Sequence, residues 1–199
     1  MITNTHIIFS QILYENCLKS LNFKLNKRRF MYGNIKPDIF CNHLKDNHTL
    51  DGSIELVAEY SKRLMECKFD ISRFSVDLGV ICHYVCDYFC IYHTNKYAGR
   101  NIFKHISYER KLHNKLLDMI KEQKIEVKSN SSLYEKDIVK FIYCMQEKYF
   151  NEKESVAKDI TYALKTANTV TQAIVYNSPL KILEYSASDK AVNNLGKIS

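Results

Sequence analysis

Five side chains that can bind a metal ion follow one another along the middle of this chain: His83, Asp87, His93, His105 and Glu109. His83 and Asp87 are four residues apart, as are His105 and Glu109. On an α-helix, residues at i and i+4 project from one face about 5.4 Å apart, so each pair can hold one ion. Imidazole together with carboxylate is typical of zinc and similar transition metals, whereas calcium and magnesium sites consist mainly of oxygen. These spacings predict helices that enclose a multinuclear zinc site.

The composition favours a helical fold. Glycine occurs 5 times and proline twice, so the chain lacks the turn residues that an all-β fold needs. Hydrophobic residues make up 46% of the chain and charged residues 26%, which leaves enough apolar surface for a core. A length of 199 residues fits one domain. We therefore predict an all-α, single-domain multi-helix bundle over residues 1–199, with a polar, frayed tail at about 186–199.

Periodicity and capping residues divide the chain into helices and breaks. The first predicted helix begins at residues 3–5 and ends at about residue 21. The others cover about residues 52–67, 72–92, 102–122, 133–148 and 152–176. The stretch 30–51 is rich in Gly, Asn, Asp and His, and it predicts a loop that leaves room for a short helix after Pro37. The third helix is apolar on most sides and is expected to be central and buried.

The seven cysteines indicate reduced thiols. Their number is odd, and the first residues carry no basic segment ahead of an apolar core, as an export signal would. No uninterrupted apolar stretch reaches the roughly 18 residues of a transmembrane helix. We therefore expect a cytoplasmic protein without a transmembrane segment. Cys82, Cys86 and Cys90 recur every fourth residue, and we interpret them as small buried apolar residues rather than as a ligand cluster.

The formal net charge of +7 is compatible with anionic partners such as nucleic acid, phospholipid headgroups or phosphorylated small molecules. The basic residues are spread out, apart from a cluster within residues 24–29 that only Phe23 and Phe30 flank. Two aromatic rings are a thin platform for stacking bases. The cluster is therefore interpreted as a solvated surface, and nucleic acid is the less favoured partner.

The candidate metal ligands, in chain order, are His6, Asp38, His48, His83, Asp87, His93, His105 and Glu109. They occur in the motifs Thr5-His6, Gly33-Asn34-Ile35-Lys36-Pro37-Asp38, Leu78-Gly79-x3-His83-Tyr84-x2-Asp87-x5-His93 and His105-x2-Tyr108-Glu109. With these motifs the chain resembles the bacterial zinc-dependent phospholipases C, the group that includes the catalytic domain of clostridial α-toxin. It resembles more distantly the zinc-dependent single-strand nucleases of the same all-helical superfamily. The motif resemblance covers residues 5 to about 110.

The resemblance implies two or three zinc ions per chain. In that arrangement the first ion is held by Asp38, His48, His83 and Asp87, the second by His93, His105 and Glu109, and the third by His6 with a share of Asp87. His43 lies close enough to His48 to compete for its role, and motif position favours His48.

One departure from the family pattern concerns the third ion. In the family, the backbone amine and carbonyl of a processed N-terminal tryptophan complete that site. This chain contains no tryptophan, and Met1 stands five residues before His6. The third ion is then expected to be absent, weakly held, or completed by water or by the Met1 amine.

The function that the resemblance implies is a phospholipase C-like, zinc-dependent hydrolysis of phosphoric esters, with metal-activated water attacking phosphorus. Asp38 is expected to act as a ligand or as the general base that orients this water. The expected substrate is a phosphate ester, with phospholipid as one candidate. The α-toxin type carries an additional C-terminal β-sandwich that docks on membranes, and we expect no such membrane-docking domain here.

Two alternatives accompany this hypothesis. One is a nuclease or a small-molecule phosphoesterase of the same superfamily. The other is a non-catalytic zinc-binding protein. Structural zinc sites are usually closed shells rich in cysteine, whereas catalytic sites leave a position open to water. Histidine and carboxylate ligands therefore favour the enzyme.

Overall fold

A computed structural model of the protein describes residues 1–15, 25–40, 48–94, 96–97, 101–125 and 137–180. Within these ranges the fold is all-helical, as predicted, and no strand is present. The seven α-helices are α1 (Thr3–Leu13), α2 (Lys27–Phe40), α3 (Leu50–Glu66), α4 (Ile71–Asp87), α5 (Ile102–Lys121), α6 (Ile138–Asn151) and α7 (Val156–Asn177). A short 3-10 turn, Ile91–His93, lies between α4 and α5.

Helix α4 is the centre of the bundle. It packs against α1, α2, α3 and α7, and every residue from Asp77 to Asp87 is buried. A helix that is apolar on most sides can only be stable when other elements surround it, and the sequence predicted this position correctly. Its start is set by Asp70, whose side chain accepts a hydrogen bond from the backbone N–H of Arg73. The polar side chains of α4 therefore lie inside the fold.

The loop predicted for residues 30–51 is wrong over residues 30–37, whereas residues 38–40 are helical, as the prediction of a short helix after Pro37 allowed. Residues 30–40 belong to α2, which runs from Lys27 through Pro37 to Phe40, so the helix spans this proline instead of beginning after it. The reason is a close crossing with α4. A Cβ atom on Gly33 would lie 2.1 Å from the Val76 carbonyl oxygen, and one on Gly79 would lie 2.3 Å from the Phe30 carbonyl oxygen. Packing between helices thus overrides the turn preference of Gly and Asn.

The predicted third helix is too long by five residues. The observed helix, α4, ends at Asp87. After it, the backbone N–H groups of Phe89 and Cys90 donate to the carbonyls of Cys86 and Asp87 in tighter, 3-10-type hydrogen bonds. Cys90 therefore follows the helix instead of extending its stripe, although Cys82, Cys86 and Cys90 are all buried, as expected. The change of direction after Asp87 brings the 3-10 turn towards the ligand side chains.

The remaining boundaries differ less. Helix α7 begins at Val156 after its cap Ser155, not near Asn151, because α6 continues to Asn151. Helix α5 matches the prediction within one residue at its C-terminal end. Four predictions lie outside the described residues. They are the end of the first helix at residue 21, the start of the fifth helix at residue 133, the tail at 186–199 and the role of His43. None of the described helices is long and apolar enough to span a membrane.

Candidate metal centre

The structure brings all eight predicted ligand side chains to one place. Five helical elements and one residue outside a helix contribute them: His6 from α1, Asp38 from α2, His48 just before α3, His83 and Asp87 from α4, His93 from the 3-10 turn, and His105 and Glu109 from α5. All of them except His105, together with Cys90, form four overlapping groups of three, and within each group the potential ligand atoms lie within 4.8 Å of one another. Residues more than one hundred positions apart in the chain therefore meet in the bundle.

Asp87 lies at the centre of the cluster and is fully buried. Its Oδ1 atom is 3.2 Å from His6 Nε2. Its Oδ2 atom is 2.8 Å from His48 Nδ1, 3.5 Å from His83 Nε2 and 3.3 Å from His93 Nδ1. The two oxygens thus face different histidines, which is the arrangement that a bridging carboxylate requires.

A first group of ligand atoms lies on one side of Asp87. His83 Nε2 is 3.1 Å from His48 Nδ1 and 3.7 Å from Asp38 Oδ1. The other oxygen of Asp38 accepts a hydrogen bond from the Thr3 hydroxyl at 3.0 Å. Asp38 remains 18% exposed, whereas Asp87 is fully buried. Asp38 is therefore the carboxylate of this group that solvent can reach.

A second group lies on the other side. Glu109 Oε1 is 2.8 Å from His93 Nε2 and 3.0 Å from His105 Nε2. The i, i+4 spacing of His105 and Glu109 on α5 produces this contact, as predicted. Cys90 also lies within reach of His93 and Glu109, which makes its thiol a further candidate ligand. Burial raises the pKa of the Cys90 thiol strongly, so in this environment it is a neutral group.

The backbone of α2 fixes the orientation of His83. His83 Nδ1 is 2.8 Å from the Asn34 carbonyl oxygen, and a carbonyl oxygen can only accept, so Nδ1 carries the proton. The lone pair of the ring is then on Nε2, which points towards Asp38, His48 and Asp87. An imidazole that donates through one nitrogen to a carbonyl and presents the other is a typical metal ligand.

Three buried nitrogens support the fit of this cluster to metal ions. Both ring nitrogens of His6 and the Nδ1 atom of His93 have no hydrogen-bond partner. The short distances to Asp87 therefore lack hydrogen-bond geometry. A buried polar atom without a partner costs about 1–3 kcal/mol, so a fold rarely keeps several of them together. Tetrahedral zinc with bonds of about 2.0–2.1 Å places its ligands about 3.3 Å apart, which is the spacing found here.

Charge in the cluster is strongly coupled. Burial acts to raise the pKa of Asp87, but the charges of His93 and the Met1 amine outweigh it and hold this pKa well below its usual range. Hydrogen bonds from His105 and His93 likewise overcome burial and depress the pKa of Glu109. Burial, reinforced by His6, lowers the pKa of His83 well below 6.5. Both acids are therefore ionised and His83 is neutral, which are the protonation states that bind metal.

The Met1 amine lies inside the cluster. Its nitrogen donates to Asp87 Oδ1 at 2.5 Å and lies 3.2 Å from Glu109 Oε1 and 3.3 Å from His93 Nε2. Burial acts to lower the pKa of this amine, yet the charges of Asp87 and Glu109 raise it to about 11. The N-terminus therefore folds back onto Asp87, and its completion of a third metal site stays a prediction.

A buried carboxylate outside the cluster holds two ligand-bearing elements in place. Asp159 on α7 accepts hydrogen bonds from the Ile91 N–H at 3.0 Å, the Tyr108 hydroxyl at 2.8 Å and the Tyr149 hydroxyl at 2.8 Å. Ile91 begins the 3-10 turn that ends with His93, and Tyr108 precedes Glu109 on α5. Asp159 therefore connects both ligand segments to α7.

Sequence reasoning missed four of these contributors: Thr3, the Asn34 carbonyl, Cys90 as a ligand candidate, and Asp159. A backbone carbonyl leaves no signal in a sequence, and a single Thr near the N-terminus is not distinctive. Asp159 carried a weak signal, since a carboxylate within an apolar helix needs a partner. Cys90 was assigned to packing because free cysteine usually behaves as a small buried apolar residue.

Comparison with known proteins agrees with the geometry. The zinc-dependent phospholipase C family matches residues 5–172, which is most of the chain. No curated protein and no solved structure matches it. The matched range begins one residue before His6 and contains all eight candidate ligands. On the basis of this match, the chain belongs to the zinc-dependent phospholipase C family.

Proposed function

We propose that the protein is a zinc-dependent, phospholipase C-like hydrolase whose substrate is the phosphodiester of a phospholipid. The observation that carries this proposal is the cluster of eight histidine and carboxylate side chains, centred on the buried Asp87, in which three ring nitrogens of His6 and His93 have no hydrogen-bond partner. Family membership supports the same general activity. A histidine and carboxylate cluster that reaches solvent through Asp38 suits a catalytic zinc site better than a closed structural one.

The ligand assignment is part of the proposal. Asp38, His48, His83 and Asp87 would hold one ion, and His93, His105 and Glu109 a second. A third ion would bind between His6 and Asp87, with the Met1 amine as its additional ligand in a chain that starts at Met1. The distances of 2.8–3.7 Å within the first two groups support this division. We retain His48 over His43 on the contact of His48 with Asp87.

Zinc ions held there would supply positive charge that neutralises a phosphodiester and lowers the pKa of water near it. In this proposal Asp38 accepts a proton from the attacking water. It is partly exposed, and the Thr3 hydroxyl binds one of its oxygens and leaves the other towards His83. A fixed carboxylate within reach of the attacking water is what general-base catalysis requires. Asp38 can serve as ligand and base in turn, and variants separate these roles.

A cleft of about 180 Å³ opens beside His93. Its walls include the aromatic rings of Tyr143 and Phe150 together with Asp51 and Gln146. Aromatic and amide groups next to a ligand histidine offer contacts to the polar headgroup of a phosphodiester. The cleft thus supports a headgroup-bearing substrate. The free thiols of Cys82, Cys86 and Cys90 fit a reducing compartment, and we propose a cytoplasmic location.

The test is hydrolysis by the zinc-loaded protein of three substrates: phosphatidylcholine vesicles, bis(p-nitrophenyl) phosphate and single-stranded DNA. We expect release of phosphorylated headgroup from the vesicles, loss of this activity with a chelator, and recovery with zinc. Asp38→Asn should lower kcat by about 10²-fold or more. Asp118→Asn, which changes a carboxylate outside the cluster, serves as the matched control.

Two results would contradict the proposal. Activity that survives complete removal of metal would exclude a zinc mechanism. Hydrolysis of DNA or of the soluble diester without any release from phospholipid would replace the lipid substrate by one of the superfamily alternatives. If Asp38→Asn loses zinc as well as activity, its role is that of a ligand. If it keeps zinc, its role is that of a base.

A further inference from the structure

The first two turns of α5 expose large apolar side chains. Ile102 is 59% exposed, Phe103 is 78% exposed and Ile106 is 39% exposed. Single exposed apolar residues are common on protein surfaces, but three within five residues of one helix form a patch. The patch lies at the N-terminal end of a helix whose buried side packs into the bundle.

Cationic side chains surround this patch. Lys104, Arg110 and Lys111 are exposed on the same part of α5. Phe103, Lys104 and Lys111 together line a shallow cleft of about 380 Å³. We define the α5 entry surface as the six residues Ile102, Phe103, Lys104, Ile106, Arg110 and Lys111. Apolar side chains flanked by Lys and Arg are the pattern of helices that lie in a membrane interface.

The α5 entry surface borders the candidate metal centre. Ile102 precedes His105 by three residues and so lies on the same side of the helix. The His105 side chain is itself 28% exposed. The ring of Tyr92 stacks on His105 at a centroid distance of 5.5 Å and lines the same shallow cleft as Phe103. A layer that covers Ile102 and Phe103 would therefore lie next to the exposed edge of the cluster.

The charges favour a lipid layer over a second copy of the chain. A two-fold symmetric contact through this surface would bring Lys104, Arg110 and Lys111 close to the same residues of the other copy. Like charges brought together in an interface oppose association. An anionic phospholipid surface, by contrast, complements these cations, and its acyl region accommodates the apolar side chains.

From this arrangement we infer that the α5 entry surface binds anionic phospholipid membranes, with Ile102 and Phe103 inserted among the lipids. The inference rests on the proposed function only for the identity of the substrate, because binding to a membrane requires no hydrolysis. It would bring phosphodiesters of the bilayer to the cluster.

The experiment measures cosedimentation of the zinc-loaded protein with sucrose-loaded vesicles of phosphatidylcholine that contain about one third phosphatidylglycerol. We expect binding to these vesicles and at least about tenfold weaker binding to pure phosphatidylcholine, since each cation near an anionic surface contributes about fivefold. Phe103→Ser should weaken binding to the anionic vesicles about tenfold or more. Ile120→Ser, which changes a residue 39% exposed at the other end of α5, should leave it unchanged.

A second pair of variants tests the charges. The double variant Lys104→Ala, Lys111→Ala should weaken binding to the anionic vesicles about tenfold or more. The control Lys62→Ala, Lys68→Ala removes the same net charge from α3 and from the residues just after it, and it should have little effect. Equal binding of the parent and the α5 variants, or no binding by the parent, would overturn the inference. A dimer in light scattering that Phe103→Ser abolishes would overturn it in favour of a second copy. Binding to vesicles without hydrolysis of any phosphodiester would uphold it and contradict the proposed function instead.

Discussion

At the scale of single residues, Asp87 determines the character of the cluster. It is fully buried, and four histidine rings and the Met1 amine surround its two oxygens. A buried carboxylate is stable only when it is paired, and here its partners are themselves ligand groups. Its charge therefore contributes both to metal affinity and to the stability of the metal-free fold.

We expect Asp87→Asn to lower the zinc content by at least one ion per chain and to abolish hydrolysis. The change keeps the shape of the side chain but leaves the buried Met1 amine with Glu109 as its remaining counter-charge in the cluster. The metal-free protein should therefore lose about 3–5 kcal/mol of unfolding free energy. Elemental mass spectrometry and urea denaturation measure the two effects.

Asp77→Asn is the matched control for this change. Asp77 is also buried on α4, but it pairs with the exposed Arg73 outside the cluster. An exposed partner limits the expected loss to about 0–1 kcal/mol, with unchanged zinc content. Equal zinc content in the Asp87→Asn protein and its parent would contradict the bridging role of Asp87.

At the scale of elements, the crossing of α2 and α4 positions the first group of ligand atoms. Gly33 and Gly79 let the two backbones approach until no Cβ atom fits between them. This contact brings the Asn34 carbonyl to His83 and places Asp38 near the same ring. The glycines are therefore needed for close packing rather than for an unusual backbone angle.

Gly79→Ala should separate these helices. A methyl group 2.3 Å from the Phe30 carbonyl oxygen must push α2 away, at a cost of about 1–3 kcal/mol in unfolding free energy. The shift also displaces the partner of His83, so zinc affinity should fall about tenfold or more. Gly52→Ala, at an exposed position of α3, should be neutral or slightly stabilising. Thermal melts and competition with a zinc chelator distinguish the two, and a Gly79→Ala protein as stable as its parent would contradict the close crossing.

Asp159 plays a comparable part for the second group. Asp159→Ala leaves the Ile91 N–H and the hydroxyls of Tyr108 and Tyr149 without their acceptor. We expect a loss of about 2–5 kcal/mol in unfolding free energy, because each buried unsatisfied donor costs about 1–3 kcal/mol. Tyr108→Phe removes a single hydrogen bond to Asp159 and leaves no donor unsatisfied, so it should lower the unfolding free energy by about 1 kcal/mol. A loss no greater for Asp159→Ala than for Tyr108→Phe would show that the carboxylate does not connect these segments.

The elements also show how far the sequence could predict the structure. The helical class and the buried position of α4 followed from residue types and spacing. The eight candidate ligands came from spacing together with the family resemblance, and their binding of metal stays a prediction. The helical state of residues 30–37 did not follow from the sequence, because Gly33, Asn34 and Pro37 favour a turn locally and contact with α4 makes them helical. The end of α4 at Asp87 was missed because the apolar pattern continues through Tyr92 while the chain changes direction. Tertiary packing decides both cases, and periodicity does not register it.

For the molecule as a whole, the cluster makes stability depend on pH. The pKa of His83 is lowered in the fold, so below about pH 6.5 the unfolded chain takes up a proton that the fold refuses, and stability falls. The pKa values of Asp87 and Glu109 are also lowered. Their contribution to stability is present above the pKa of about 4 that these acids have in the unfolded chain, and it is lost as the pH falls below that value. The raised pKa of His93 acts above pH 6.5, where it makes stability decrease as the pH rises.

We therefore expect the metal-free protein to be most stable near neutral pH, with a decline below about pH 6.5 and a steeper one below about pH 4.5. Urea midpoints across this range measure the profile. Glu109→Gln cannot titrate at this position and should reduce the steeper, acidic part. A midpoint that stays constant from pH 7 to pH 4 would contradict the assigned protonation states.

The central claim is that this fold holds a multinuclear zinc site, and the most direct measurement is the number of zinc ions per chain. The protein is purified without added metal or a metal-binding tag, and elemental mass spectrometry gives the content before and after reconstitution with zinc. We predict two or three ions per chain, with three indicating that the site between His6, Asp87 and the Met1 amine is filled. No bound metal, and none taken up on reconstitution, would contradict the account and remove the basis for the enzymatic proposal.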